Sequence, residues 1–375
     1  MKILFSPLNQ QHHQAFPRFS AVEQQASLSG TPVLPKVVDH LDLNGLAPGR
    51  HSFWLNLLPN SMGGQTQIPV MVLKGEQPGP VVGVSSAIHG DELNGIPVIW
   101  GLFDKITPEN LKGTILALPV MNVRGFTENK RLFDNHDDLQ DGIDLNHLMG
   151  APYGKGEAGR YTKALLEKVV DQFEYLFDLH CVVSGTSGVN YVYANKKNPM
   201  SCQMALNCRP DLVIARTPIR SNGLTLKGLA DERKIPAVTV EIGMTKRFEA
   251  DKIQRTVQGL LNALHHLNIL SRPVVDSTKL KASTYVASEY HNVYTDNYGG
   301  LMTMGVKDGE LVTENQPVAD MKDVFGRPVQ TFKSPTTGIV MSRRTHPTAA
   351  PDSIVMSVAV VDKKVLHTPS ETRNV

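Results

Sequence analysis

Along the chain, short apolar runs bounded by glycine and proline alternate with segments whose apolar residues recur every three or four positions. Residues 69–73 and 81–88 are runs of the first kind, stopped by Lys74-Gly75 and by His89-Gly90, and they read as buried strands. Residues 92–105 follow with helical spacing through Leu93, Ile96, Ile99, Leu102 and Phe103. Another buried strand is expected over 114–121, then a long polar stretch holding Asp134, Asp137, Asp138 and Asp141. Leu165, Leu166, Val169 and Val170 place a helix over 159–173, and a strand over 175–179 runs straight into His180. A short helix over 225–233 precedes a strand over 237–240 that ends at Glu241. Residues 250–270 form a strongly amphipathic helix carrying Ile253, Val257, Leu260, Leu261 and Leu264. Before residue 67 the periodicity is weak, and an irregular lead-in is expected.

Strands alternating with helices imply an α/β domain whose mixed sheet is covered on both faces. Ligands in such sheets gather beyond the carboxyl ends of the strands. His89, His180 and Glu241 all fall at expected strand ends, and that coincidence is more informative than any one of them. After Pro273 short β-like runs alternate with turn signals such as Tyr298-Gly299-Gly300, Lys307-Asp308-Gly309 and Phe325-Gly326-Arg327-Pro328. Such spacing without long helices predicts a small all-β module. The expected division is therefore 1–273 and 274–375.

Composition removes several function classes. The 38 basic and 36 acidic residues give a formal net charge of +2 and form no basic stripe or acidic tail. Nothing here favours nucleic acid or an anionic membrane as partner. No run approaches the ~20 apolar residues of a membrane span. The start, MKILFSPLNQQHHQ, lacks the roughly 7–15-residue apolar core of a secretory signal. Three irregularly spaced cysteines make neither a disulfide framework nor a thiolate metal site. The expectation is a cytoplasmic protein acting on a small molecule, with homo-oligomerisation left open.

The chemistry lies in three short segments. His89-Gly90-Asp91-Glu92 sets an imidazole at a strand end and a carboxylate three residues on, so both side chains reach one side of the strand–helix junction. Neutral imidazole and carboxylate both bind zinc, at ~2.0–2.2 Å, and a catalytic zinc site keeps three protein ligands with one position open. His180, in Phe177-Asp178-Leu179-His180, is the natural third ligand. Alone, His-x-x-Glu also suits a surface histidine beside an acid at a helix N-terminus. The three strand-end segments together, ending with Val240-Glu241-Ile242-Gly243, are hard to match by chance. Cys181 neighbours His180, but adjacent strand residues point to opposite faces, so it reads as core.

With these segments in hand, the chain resembles the succinylglutamate desuccinylase/aspartoacylase family of the zinc carboxypeptidase clan. The resemblance runs from about Pro69 to Leu270. It rests on the stretch 87–96 (AIHGDELNGI), on 118–122 (LPVMN), on Gly125-Phe126 leading to Arg131, on Asp144-Leu145-Asn146, on Asp178-Leu179-His180 and on 240–243. It implies a zinc carboxypeptidase-like mixed sheet flanked by helices, plus a smaller C-terminal all-β domain of barrel-sandwich type. It further implies one Zn2+ held by His89, Glu92 and His180, with Glu241 moving protons between the attacking water and the leaving amine. Arg131 matches the arginine that polarises the scissile carbonyl, and Asn146 the first residue of the family's Asn-Arg pair for a substrate carboxylate. The arginine of that pair is replaced by His147, whose charge exists only near or below its pKa. Either another cation such as Arg124 or Lys130 takes over, or the anchoring group is not a simple α-carboxylate. The acidic stretch between Arg131 and Asp144 is expected to border the pocket and to disfavour acidic acyl groups. The implied reaction is zinc-dependent hydrolysis of an amide in a small N-acyl amino acid. Its rivals are a carboxypeptidase acting on short peptides and a non-catalytic binding protein on the same fold.

Overall fold

Alternation of burial along successive apolar strands builds a long mixed sheet in the computed structural model, which describes residues 34–134, 142–150, 156–217 and 224–367. In chain order come β1 (Lys36–Val38), β2 (Gly49–Pro59), β3 (Gln65–Lys74), β4 (Gln77–Ser86), α1 (Gly95–Lys105) and β5 (Lys112–Leu118). Helices α2 (Val123–Glu128) and α3 (Gly156–Lys168) lead to β6 (Tyr175–Val182), β7 (Thr186–Gly188) and β8 (Tyr191–Asn195). Next are α4 (Pro199–Asn207), β9 (Leu212–Arg216), α5 (Leu226–Glu232), β10 (Ala237–Met244) and α6 (Ala250–His266). Strands alone follow: β11 (Ser283–Tyr294), β12 (Gly300–Met304), β13 (Leu311–Val312), β14 (Pro317–Lys322) and β15 (Pro328–Lys333). The last three are β16 (Gly338–Arg344), β17 (Thr348–Ala349) and β18 (Ile354–Leu366).

The main sheet runs β1-β2-β3-β5-β4-β6-β10-β8-β9-β11-β18-β16-β13, with β7 paired to β16. Its centre, β5-β4-β6-β10, is parallel, and β8 runs antiparallel to β10. A second, antiparallel sheet, β15-β14-β12-β17, belongs to the C-terminal part. Because β11 pairs in parallel with β9, the C-terminal strands prolong the main sheet rather than hanging from a linker. The fold is thus the mixed α/β sheet flanked by helices that the sequence implied, with a C-terminal antiparallel β domain. No helix among the described residues is long and apolar enough to cross a membrane.

The two faces carry different loads. Val84, Phe177, Leu179, Val238 and Val240 point to the face packed by α1, α4 and α6. Leu116, Leu176 and Ala237 point the other way, toward α3 and α5. Side chains alternate along a strand, so Asp178, His180 and Glu241 share the second face with Leu176 and Ala237. The apolar residues between them anchor both strands from behind.

Two expectations are corrected. The stretch to residue 67 is not irregular throughout, since β2 pairs antiparallel with β3 from Gly49 to Pro59. Its polar residues His51, Ser52 and Asn56 dilute the apolar count, while burial deepens only toward Leu55, Leu57 and Leu58. Residues 1–33 lie outside the described residues. The second correction concerns Glu92, which sits not in helix α1 but in a turn closed by Glu92 N–H donating to His89 O at 3.1 Å. The helix waits until Gly95 because Asn94 is committed elsewhere. Its side-chain amide donates to Ile242 O at 2.7 Å and Met244 O at 3.0 Å, and its Oδ1 accepts from Glu249 N at 3.1 Å. That buried amide ties the His89–Glu92 turn to the end of β10.

Candidate metal centre

Parallel pairing of β6 and β10 sets Glu241 in register with His180. Register partners face the same way, so the carboxylate comes up beside the imidazole. The turn after β4 supplies His89 and Glu92 from the neighbouring strand. It begins at Ala87, which holds a left-handed φ of 49° despite its side chain, with Ala87 O accepting from Asn122 N at 2.9 Å. Gly90 then passes so close to α2 that a β-carbon there would lie 2.0 Å from Gly125 C.

The ligand atoms of His89, Glu92 and His180 all lie within 4.8 Å of one another, and all three residues are buried. Glu92 is the hub. Its Oε1 meets His89 Nδ1 at 2.8 Å and Arg131 Nη1 at 2.6 Å. Its Oε2 meets His180 Nδ1 at 2.9 Å and accepts from Cys181 N at 2.9 Å. Each histidine turns its other nitrogen to an acid: His180 Nε2 meets Asp178 Oδ2 at 3.0 Å, and His89 Nε2 meets Asp144 Oδ1 at 3.2 Å. Asp178 is fixed in turn by Ser85 Oγ, which donates to Oδ1 at 2.8 Å.

This arrangement fits a divalent metal on three counts. Outer carboxylates fix the tautomer of both histidines, leaving Nδ1 of each to turn its lone pair inward. Despite its short separation from Glu92, His89 Nδ1 has no hydrogen-bond partner among the described residues, and Glu241 Oε2 has none either. Buried polar atoms left open in this way point to a missing partner. The electrostatics agree. Burial alone pulls the His180 imidazole down, yet Asp178 and Glu92 hold it well above its ordinary value. Burial likewise opposes charge on Glu92, but His89 and His180 keep its carboxyl below the usual range. The acids of the cluster thus draw positive charge to its centre. Glu241 behaves oppositely, since burial pushes its carboxyl up to about 8 against the pull of His180.

The remaining expected residues divide. Arg131 lies at the centre, with Nη2 at 3.5 Å from Asp144 Oδ2 in addition to its bond to Glu92. Asn146 is nearby, but its Oδ1 accepts from Leu226 N at 2.9 Å, which makes it a brace for the start of α5. His147 sits at the rim, 42% exposed, with Nε2 3.9 Å from Asp144 Oδ2. Arg124 turns away: it forms a salt bridge with Glu157, donates to Asp134 O at 3.0 Å and stacks 4.9 Å from the Phe133 ring centre. Lys130 pairs with Glu128 at 2.6 Å on the surface. Asp137, Asp138 and Asp141 lie outside the described residues. The sequence alone assigns no role to the outer acids Asp178 and Asp144. The signal for Asp178 was present, because Asp-x-His on a strand puts both side chains on one face.

Residues 78–267 match the succinylglutamate desuccinylase/aspartoacylase catalytic domain. An N-alpha-acetyl-L-2,4-diaminobutyric acid deacetylase of Halomonas elongata is 23% identical over 305 residues, which cover 75% of this chain and 82% of the relative. The ectoine utilization protein EutE of Ruegeria pomeroyi superposes with a TM-score of 0.73 at 19% identity, over 85% of this chain and 97% of its own. A succinylglutamate desuccinylase from a Silicibacter species also gives 0.73 at 19% identity, over 89% of this chain and 100% of its own. These two structures share the fold. With the catalytic-domain match spanning half of the sequence and including His89, Glu92, His180 and Glu241, the chain belongs to the succinylglutamate desuccinylase/aspartoacylase family.

Proposed function

We propose that this protein is a zinc-dependent amidohydrolase that cleaves the amide bond of a small N-acyl amino acid, releasing a carboxylate and an amine. The observation that carries the reading is the buried, unpartnered Oε2 of Glu241 beside the His89–Glu92–His180 cluster. A family of amino-acid deacylases supports hydrolysis, and the Halomonas relative supports an N-acetylated amino acid as the substrate type.

His89, Glu92 and His180 would hold the zinc. When bound, that ion supplies Lewis acidity, polarising a carbonyl and bringing the pKa of water down to ~7. The chain's own groups do the rest. Glu241 Oε2, with no competing hydrogen bond among the described residues, takes the proton of the attacking water and returns one to the leaving nitrogen. A carboxyl raised by burial is suited to both halves of that exchange near neutral pH. Arg131 presents a fixed cation beside Glu92, where negative charge grows on the substrate oxygen. Asp178 and Asp144 hold the imidazoles in one orientation, and Asn146 braces α5.

The test is Glu241→Gln measured on N-acetyl-diaminobutyrate and a panel of N-acyl amino acids, with metal content determined in parallel. The variant should keep its metal and lose about 10²- to 10⁴-fold in kcat. A near-wild-type kcat would remove Glu241 from the mechanism. Release of amine undiminished by a chelator would remove the metal.

A further inference from the structure

The sheet face that presents Glu241 does not end at β10. Glu241 lies opposite Tyr191 of β8, and Thr239 opposite Tyr193. On β9, Val213 belongs to the core behind the sheet, while Leu212 and Ile214 belong to the cluster containing Tyr191, Tyr193 and Tyr290. Alternation then puts Arg216 on the front, with Glu241. Its guanidinium carbon rests 5.3 Å from the Tyr193 ring centre and 5.3 Å from that of Tyr290 on β11. Burial keeps the Tyr191 and Tyr193 phenols neutral.

Among the described residues, no carboxylate forms an ion pair with Arg216. The other cations named for the substrate differ on this point. Arg124 is bound to Glu157, Arg131 to Glu92 and Asp144, and His147 already faces Asp144. Two aromatic faces hold the guanidinium in place by cation–π attraction, which does not use its in-plane N–H groups. Arginine in that setting offers a planar, permanently charged fork suited to carboxylate.

We propose that Arg216, set between Tyr193 and Tyr290, binds a carboxylate of the substrate remote from the bond that is cut, in place of the anchor absent at His147. Arg216 is in register with Asn195, one residue beyond the Ala194–Val238 pair, so its α-carbon lies two strands across and four residues back from Glu241, roughly 16 Å away. Its side chain reaches back over Tyr193, leaving a gap to Glu241 on the order of 10 Å. The substrate therefore carries its anion at the end of a short chain rather than on the carbon next to the scissile amide. The proposal rests on the deacylase reading only for which bond breaks. Were Arg216 merely a tie between β8 and β11, its loss would weaken turnover of charged and neutral substrates alike.

Two matched substrate pairs separate these roles: N-acetylglutamate against N-acetylglutamine, and an N-succinyl amino acid against its succinamide analogue. In Arg216→Met, kcat/KM for the anionic member of one pair should fall roughly 30-fold or more, through KM. Its neutral partner should change less than about twofold, and Arg216→Lys should restore part of the loss. If Arg216→Met does not fold, Arg216→Gln, of similar length and polarity, takes its place. An unchanged anionic-to-neutral ratio in both pairs overturns the proposal and leaves the deacylase reading intact. Binding of glutarate to the metal-loaded protein, by calorimetry, gives a readout independent of turnover. If nothing in the panel is cleaved but glutarate binding disappears in the variant, the anion site stands and the deacylase reading falls. Equal glutarate binding by both proteins overturns the site.

Discussion

Replacing Asp178 by asparagine leaves the shape of the site nearly untouched and removes one charge. Asp178 is 1% exposed, accepts from Ser85 Oγ at 2.8 Å and meets His180 Nε2 at 3.0 Å. An amide at this position still offers one acceptor, so His180 keeps its place. It loses the negative charge that makes the inner nitrogen a better donor to a metal. Loss of such an outer partner typically weakens metal affinity ~10- to 100-fold, equivalent to about 1.4–2.7 kcal/mol.

Asp144 supplies an internal comparison. It stands 3.2 Å from His89 Nε2, is 24% exposed and is shared with Arg131 and His147. Solvent and a neighbouring guanidinium already dilute its effect on His89, so Asp144→Asn should cost less than Asp178→Asn. Ser85→Ala should cost least, since it loosens Asp178 without discharging it. The assay is competition for zinc against a chromophoric chelator, with circular dichroism to check that each variant is folded. Equal affinities for wild type and Asp178→Asn, or a larger loss in Asp144→Asn, would refute the assignment of Asp178 as the carboxylate that orients His180.

Two other substitutions probe the frame. Gly90→Ala forces a β-carbon against the backbone of Gly125 and Phe126, at 2.0 and 2.2 Å. It should cost about 1–3 kcal/mol or more in urea denaturation and weaken zinc binding, because His89 and Glu92 flank the wedge. An unchanged midpoint would show that α2 yields freely. Asp211 meets Arg255 Nη2 at 2.9 Å and Lys281 Nζ at 2.8 Å, and accepts from Asn190 N at 3.0 Å. Burial opposes its charge, but Arg255 and Lys281 outweigh that and hold its carboxyl below the usual range. The stabilisation is therefore complete above the unfolded value of ~3.9 and is lost as pH falls through the lower folded value. Asp211→Asn should destabilise by about 1.5–3 kcal/mol between pH 5 and 8, with the gap closing below pH 4. A gap that persists at pH 3 would sink the ion-pair explanation.

Much of the candidate site was legible in the sequence because its residues fall at the ends of apolar runs. The apolar runs located β4, β6 and β10 and put His89, His180 and Glu241 at strand ends; that His180 and Glu241 share a face follows from the pairing of β6 with β10. The turn after β4 was less legible. It takes its form from contacts about 150 residues away, where Asn94 reaches Ile242, Met244 and Glu249. Strand β2 escaped notice for a similar reason, as its polar residues are tolerated only by pairing with β3. Asn146 matched a substrate-binding motif, yet its side-chain oxygen is spent on Leu226 N. Motif spacing specifies which residues meet, but not which atoms remain free after the neighbours have taken theirs.

The charge balance of the centre supplies a further prediction. Glu92, Asp144, Asp178 and Glu241 bring four carboxyl groups to two histidines and one arginine. With Glu241 neutral and both imidazoles neutral, three carboxylates face a single guanidinium, leaving two negative charges in a mostly buried site. Protonating both histidines balances that excess, as their raised values indicate, but a proton on Nδ1 occupies the atom that would hold the metal. A dication cancels the same two charges while freeing both nitrogens. Metal binding and folding should therefore be tightly linked. Ligand at 1,000 times its dissociation constant stabilises by about 4.1 kcal/mol, so zinc should raise the denaturation midpoint and a chelator should lower it. The gain should shrink toward acid pH, where protons compete for the histidines. In Glu92→Gln, which removes one carboxylate and one ligand together, added zinc should stabilise far less. Identical melting with and without zinc, at a concentration where binding is stoichiometric, would mean that the two negative charges are balanced by something other than a metal.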